Sequence, residues 1–151
     1  IVEYGPGTGS FTRKLLKYRK EGTKLILIEN NPVFYDRLKK EFGMQKEVVM
    51  ILGSAENVNG YLAQYGIKTA DYIVSGLPFT SLPKDISEKI LLATQRAIGT
   101  KGRFLTFQYS LVKRKFFEKY FTIAGCLLEL KNIPPAYVMV MRKKAERGQR
   151  V

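Results

Sequence analysis

The chain contains no histidine and no tryptophan, and only one cysteine among its 151 residues. Without histidine, imidazole general bases, Ser-His nucleophile pairs and most zinc sites are excluded together. The lone Cys126 leaves no internal disulfide and suits a reducing compartment. It lies in the apolar run Cys126-Leu127-Leu128, where a buried small hydrophobe is expected rather than a nucleophile. No apolar run approaches the roughly 20 residues of a membrane span. No secretory signal with a charged start and an apolar core is present. A cytoplasmic protein is therefore expected. Acids are scarce too: 13 Asp and Glu stand against 26 Lys and Arg, for a net charge of +13.

What is present is one domain's worth of globular chain. Hydrophobic residues make up 45% and charged residues 26%, a composition able to bury a core. The basic excess draws the surface towards polyanions, either nucleic acid or an anionic membrane. It clusters at Lys14, Lys17, Arg19 and Lys20, at Lys113-Arg114-Lys115, and from Arg142 to Arg150.

The chain is organised around Ile1-Val2-Glu3-Tyr4-Gly5-Pro6-Gly7-Thr8-Gly9-Ser10. This reads as a short strand, a glycine turn and the start of a helix. Gly5, Gly7 and Gly9 permit φ > 0 and a close approach of ligand to backbone. The turn feeds a helix N-terminus, which favours negative charge. Two ligand classes use such turns. The dinucleotide fingerprint is Gly-x-Gly-x-x-Gly, and its third glycine is replaced here by Ser10. Glu3, just ahead of the glycines, is poorly placed for a pyrophosphate and well placed for a cation. The second apolar run, Lys24 to Ile28, ends in Glu29, which suits a ribose diol. An acid before the glycines favours a ligand bearing an ammonium, S-adenosylmethionine (SAM).

The remaining pattern alternates strand and helix. A first helix runs to about Arg19. A second, capped by Asn31-Pro32, carries Phe34, Leu38 and Phe42 at helical spacing. Strands are expected at Val48 to Leu52, Ala70 to Val74 and Arg103 to Tyr109, with a turn from Gly99 to Gly102. Helices are expected at Asn57 to Gln64, Asp85 to Ile98 and Lys113 to Tyr120. Leu127 to Ile133 and Ala136 to Met141 read as two strands joined by Pro134-Pro135. So short a link forces them antiparallel. The expected fold is α/β: a Rossmann-like, mostly parallel sheet with an antiparallel last strand and helices on both faces. Ile1 already lies inside the first strand, so a further N-terminal segment is expected to precede this numbering.

Ligands of such sheets bind at the carboxyl ends of the strands. In strand order, the residues at those ends are Glu3 and the glycines, Glu29 and Asn30, Gly53 to Glu56, Ser75 to Phe79, and Gln108 to Ser110.

The glycine turn with Glu3 and Glu29 resembles the class I SAM-dependent methyltransferases. The resemblance implies cofactor contacts from Glu3, Gly5, Gly7, Gly9, Glu29, Asn30, Ser54, Ala55 and Ser75. Glu3 would face the methionine ammonium and Glu29 the ribose hydroxyls. Relatives commonly carry Gly-Asp-Ala where this chain has Gly53-Ser54-Ala55, leaving the adenine contact to Ser54 or Glu56. Ser75-Gly76-Leu77-Pro78-Phe79-Thr80-Ser81-Leu82-Pro83 resembles the bacterial phospholipid N-methyltransferases acting on phosphatidylethanolamine, as does Asn132 to Val138. More distantly the chain is similar to the ribosomal RNA adenine dimethylases. These carry Asn-Leu-Pro-Tyr or a close variant and a further helical domain, and the asparagine acceptor is missing here. The resemblance implies that Leu77, Pro78 and Phe79 line the reacting groups. Tyr109, Glu56 or water would accept the proton of the amine. Phe79 would pack on the methyl group or the amine. No metal is required. The expected partners are an amino-phospholipid and an anionic membrane, met peripherally at the inner membrane surface through an amphipathic N-terminal segment and the basic surface. RNA is the alternative partner, and a non-catalytic SAM-binding module the alternative role.

Overall fold

The computed structural model describes residues 1–130 and 136–144. Its strands are β1 (Val2–Tyr4), β2 (Leu25–Glu29), β3 (Val48–Leu52), β4 (Ala70–Ser75), β5 (Ile98–Gln108), β6 (Phe121–Glu129) and β7 (Ala136–Lys143). The helices are α1 (Ser10–Tyr18), α2 (Pro32–Phe42), α3 (Val58–Gln64), α4 (Lys84–Ala97) and α5 (Arg114–Tyr120). A single 3₁₀ turn, Ala55–Asn57, precedes α3.

The strands form one sheet in the order β3-β2-β1-β4-β5-β7-β6. Neighbours from β3 to β5 are parallel, and β7 enters antiparallel between β5 and β6. The expected mixed sheet with its antiparallel last strand is thus present. β1 and β2 are buried along their whole length, as strands covered on both faces must be. On one face Val2, Tyr4, Ile26, Ile28 and Ile73 pack with residues of α3, α4 and α5. On the other, Leu25 and Leu27 pack with Leu38 and Phe42 of α2, flanked by Leu15 and Leu16 of α1. Strand order reverses between β1 and β4, and in sheets of this kind the crevice for a ligand lies at such a switch point, outside the carboxyl ends of the strands.

Local sequence chooses the boundaries. Asn31 caps α2, its side chain accepting from the Val33 and Phe34 amides, with Pro32 at the first helical position. α1 starts directly after Gly9, whose φ of 80° admits no ordinary side chain.

Three expectations are corrected. The Gly99 to Gly102 turn lies inside β5: Ala70 pairs with Ile98, then Tyr72 with Arg103, so the extra residues bulge against β4. A Cβ at Gly102 would stand 3.0 Å from the Ala70 carbonyl oxygen, which explains the glycine there. β6 starts at Phe121 rather than Leu127, because α5 passes straight into it. Cys126 is exposed and not buried. The expected strand end at Ile133, the Pro134-Pro135 link and the basic residues beyond Lys144 lie outside the described residues.

No described helix covers the β4–β5 part of the sheet on the α1 side. An apolar hollow of about 340 Å³ lies there, lined by Ile1, Phe11, Leu15, Val74, Leu105 and Phe107 among others. Phe11 and Phe107 stack across it with ring centroids 4.0 Å apart.

Candidate functional site

The glycine turn is held by both neighbouring strands. The Gly5 amide donates to the Ile28 carbonyl, and the Gly76 amide to that of Tyr4. Gly5, Gly7 and Gly9 have φ of 59°, 54° and 80°. The three glycines serve different ends. A Cβ at Gly5 would stand 2.8 Å from Leu77 Cδ2, and one at Gly9 2.9 Å from Phe42 Cε2. Those two give room for Leu77 of the loop after β4 and for α2. A Cβ at Gly7 would meet nothing nearer than 3.9 Å, so its outer side is open to a ligand.

Two carboxylates flank this turn. Glu29, at the end of β2, is buried. Its Oε2 accepts from the Gly7 amide at 3.0 Å and its Oε1 from the Asn31 amide at 2.9 Å. The two bonds fix the carboxylate plane and leave each oxygen a further lone pair, the bidentate acceptor a diol needs. Glu3 is buried inside the turn. Its Oε2 accepts from the Thr12 hydroxyl at 2.8 Å, and its Oε1 has no hydrogen-bond partner. Burial pushes its carboxyl up to about 7, the Thr12 bond opposes this, and the Glu29 charge adds to it. A buried, half-satisfied carboxylate beside a second carboxylate makes this end of the sheet favourable to a cation. SAM presents an ammonium and a ribose diol, so these residues fit it at both ends.

The third motif forms a clasp. Ser54 caps the 3₁₀ turn, its Oγ accepting from the Glu56 amide and donating to Glu56 Oε2 at 2.9 Å. Glu56 also lies 3.9 Å from Lys89 of α4. Ala55 is buried beside it, and Asn30 is exposed at the end of β2.

The loop after β4 folds over the glycine turn. Buried Ser75 accepts the Leu77 amide at 3.2 Å. Gly76 passes so close that a Cβ would be 3.3 Å from the Gly5 oxygen. Gln108, buried at the end of β5, donates from Nε2 to the Leu77 carbonyl at 3.1 Å and to Thr106 Oγ1 at 2.8 Å. Its Oε1 accepts nothing from the described residues. Leu77 is half-buried against Gly5 and Pro78 is exposed. Phe79, expected against the amine, turns inward: it is fully buried, with its ring edge-on to Phe117 at 5.1 Å. Tyr109 follows in the bend just past β5 and is exposed.

The structure thus brings Glu3, the glycines, Glu29 and the Ser75 to Leu77 backbone to one crevice. Ser54 and Ala55 lie at its β3 end and Tyr109 at its β5 rim. Sequence reasoning placed Gln108 near the crevice but not its grip on Leu77, and it did not foresee the bond from Thr12 to Glu3. Both are ordinary polar residues until long-range pairing brings them to a carbonyl and a carboxylate. Among the described residues, no group of His, Cys, Asp or Glu is arranged to hold a metal ion.

The fold is one shared with solved SAM-dependent methyltransferases. The fold matches the N-methyltransferase NodS from Bradyrhizobium japonicum, solved with S-adenosyl-L-homocysteine. That match has a TM-score of 0.74 at 12% identity over 95% of this chain and 77% of that one. It also matches a TehB-like SAM-dependent methyltransferase from Corynebacterium glutamicum, with a TM-score of 0.68 at 19% identity over 95% and 79%. In sequence the chain is similar to an ornithine lipid N-methyltransferase of Singulisphaera acidiphila, 28% identical over 137 residues, which span 90% of this chain and 71% of that protein. No protein-family profile matches the chain.

Proposed function

We propose that the chain is a SAM-dependent N-methyltransferase whose acceptor is the primary amine of an amino-lipid, either phosphatidylethanolamine or a related headgroup such as that of ornithine lipid. The observation that carries the reading is the buried Glu3 carboxylate with its unpartnered oxygen, set beside a pre-oriented Glu29. The similarity to a lipid N-methyltransferase supports the class of acceptor.

SAM supplies an electrophilic methyl group, and in-line displacement by an amine rests largely on positioning. Glu3 holds the ammonium of the cofactor. Glu29 holds its ribose, and Gly7 leaves the space for it. The Ser75-Gly76-Leu77 backbone forms the acceptor side. Gly76 offers no side chain, which favours a small flexible amine over a planar base needing an amide acceptor. Gln108 pins the Leu77 carbonyl and keeps its own Oε1 for an N–H of the acceptor. The amine must arrive without its proton, since an ammonium has no lone pair. Tyr109, at the rim, or water takes that proton. Glu56 is engaged by Ser54 and Lys89 and serves the clasp. An anionic membrane surface is the setting for this acceptor, with the protein bound peripherally at the inner face.

The test supplies methyl-labelled SAM with phosphatidylethanolamine vesicles, ornithine-lipid vesicles and RNA, followed by separation of organic and aqueous phases. Label moving as methylated lipid is expected. Label in RNA would replace the acceptor class with adenine. Label in neither, with SAM still bound, would leave a non-catalytic cofactor-binding module.

A further inference from the structure

β6 changes character along its length. Phe121 is buried, whereas every residue from Cys126 to Leu130 is exposed. Neighbouring side chains on a strand point to opposite faces, yet Leu127 and Leu128 are 66% and 49% exposed. The end of the strand therefore stands clear of the helical layers on both sides, and Leu130 comes next at 69%. Register places this end at the carboxyl edge of β5: Leu128 lies opposite Tyr137, and Tyr137 opposite Gln108. Just past Gln108 come Tyr109 and Val112, 70% and 82% exposed. Lys113, Arg114 and Lys115 stand next in the chain, as α5 begins. Strand order sets this rim beside the acceptor loop of β4, on the side away from Glu29.

Single exposed leucines are ordinary, but a cluster of large apolar side chains with a basic flank marks an interaction surface. A rigid protein partner covers one face of a strand. Leucines bare on both faces fit a medium that surrounds them. We propose that this rim docks to an anionic lipid bilayer. Leu127, Leu128, Leu130 and Val112 enter the interfacial layer, and Lys113, Arg114 and Lys115 meet lipid phosphates. Charge complementarity supports this occupant, because the whole chain carries +13. The inference rests on the amino-lipid reading and places membrane contact on the rim of the acceptor crevice, where a headgroup reaches the loop without leaving the surface.

Cys126 is the chain's sole cysteine and is exposed on this strand, so a polarity-sensitive maleimide dye reports on the rim. Phosphatidylglycerol–phosphatidylcholine vesicles should shift its emission to the blue, and phosphatidylcholine alone should not. The double variant Leu128→Asp/Leu130→Asp should lower the vesicle-bound fraction by about tenfold or more, with SAM affinity unchanged. Vesicle binding by that variant at the level of the unaltered protein would overturn the proposal. So would a shift that grows with protein concentration in the absence of lipid, or one elicited by RNA and not by vesicles. A dispersed short-chain amino-lipid separates the two readings. Turnover on it without vesicle binding sinks the rim and leaves the enzyme. Vesicle binding without transfer to any amino-lipid sinks the acceptor assignment and leaves the rim.

Discussion

Glu3 is held in a state that the unfolded chain would not choose. Its carboxyl titrates near 7 in the fold against an ordinary 4.5, chiefly because burial disfavours the charge. Between those values the folded protein holds a proton that the unfolded chain has released. The contribution of Glu3 to the stability of the ligand-free protein should therefore be fully present below about pH 4.5 and be lost as pH rises through 7, by on the order of 3 kcal/mol. Chemical denaturation across that window tests this, and Glu3→Gln should flatten the dependence. SAM binding should show the complementary trend. Its ammonium needs the charged carboxylate, so affinity measured by calorimetry should rise by up to about tenfold per pH unit below 7 and level off above. Glu29→Ala should weaken SAM binding by on the order of 1–3 kcal/mol, and unchanged affinity would remove the ribose assignment. Glu3 and Glu29 were legible in the sequence because they stand at fixed offsets from a glycine turn and a strand end. Neither the orphaned oxygen nor the raised pKa was legible. Both depend on what the fold packs around the carboxylate.

At the scale of elements, periodicity and capping carried furthest. Asn31-Pro32 announced α2, and the cap is present; Asn31→Ala should cost about 1 kcal/mol of stability in thermal or urea unfolding. The acceptor loop was legible as a motif, but its internal order was not. Phe79 reads in sequence as an aromatic at the reacting groups, yet a neighbour distant in the chain, Phe117, draws it inward. Gln108 supplies the loop's rigidity. Gln108→Met keeps the volume and removes both hydrogen bonds, and should reduce kcat well before it alters SAM affinity. Equal losses in both would mean that the residue supports the fold and not the acceptor side. The β5 bulge was not legible because Gly99 and Gly102 signal a turn in either setting. Only the register with Ala70 and Tyr72 shows that the strand continues through it.

At the scale of the molecule, alternation of strands and helices was enough to give the sheet, its parallel core and the antiparallel β7. Which surfaces the sheet leaves bare was not legible, since Phe11, Leu105 and Phe107 look like core residues in sequence. The hollow they line has a colloidal consequence. Molecules carrying an apolar recess attract one another at short range, and a net charge of +13 repels them at long range. Raising salt from about 0.01 M to about 1 M shortens the Debye length from about 30 Å to about 3 Å and removes the repulsion first. The osmotic second virial coefficient, measured by static light scattering, should fall from positive to negative along that series. A value that stays positive would mean the hollow is too shallow to make the molecules adhere. A fall to negative values would mean that charge, and not a uniformly polar skin, holds the molecules apart, with dilution and low ionic strength the conditions that favour dispersal.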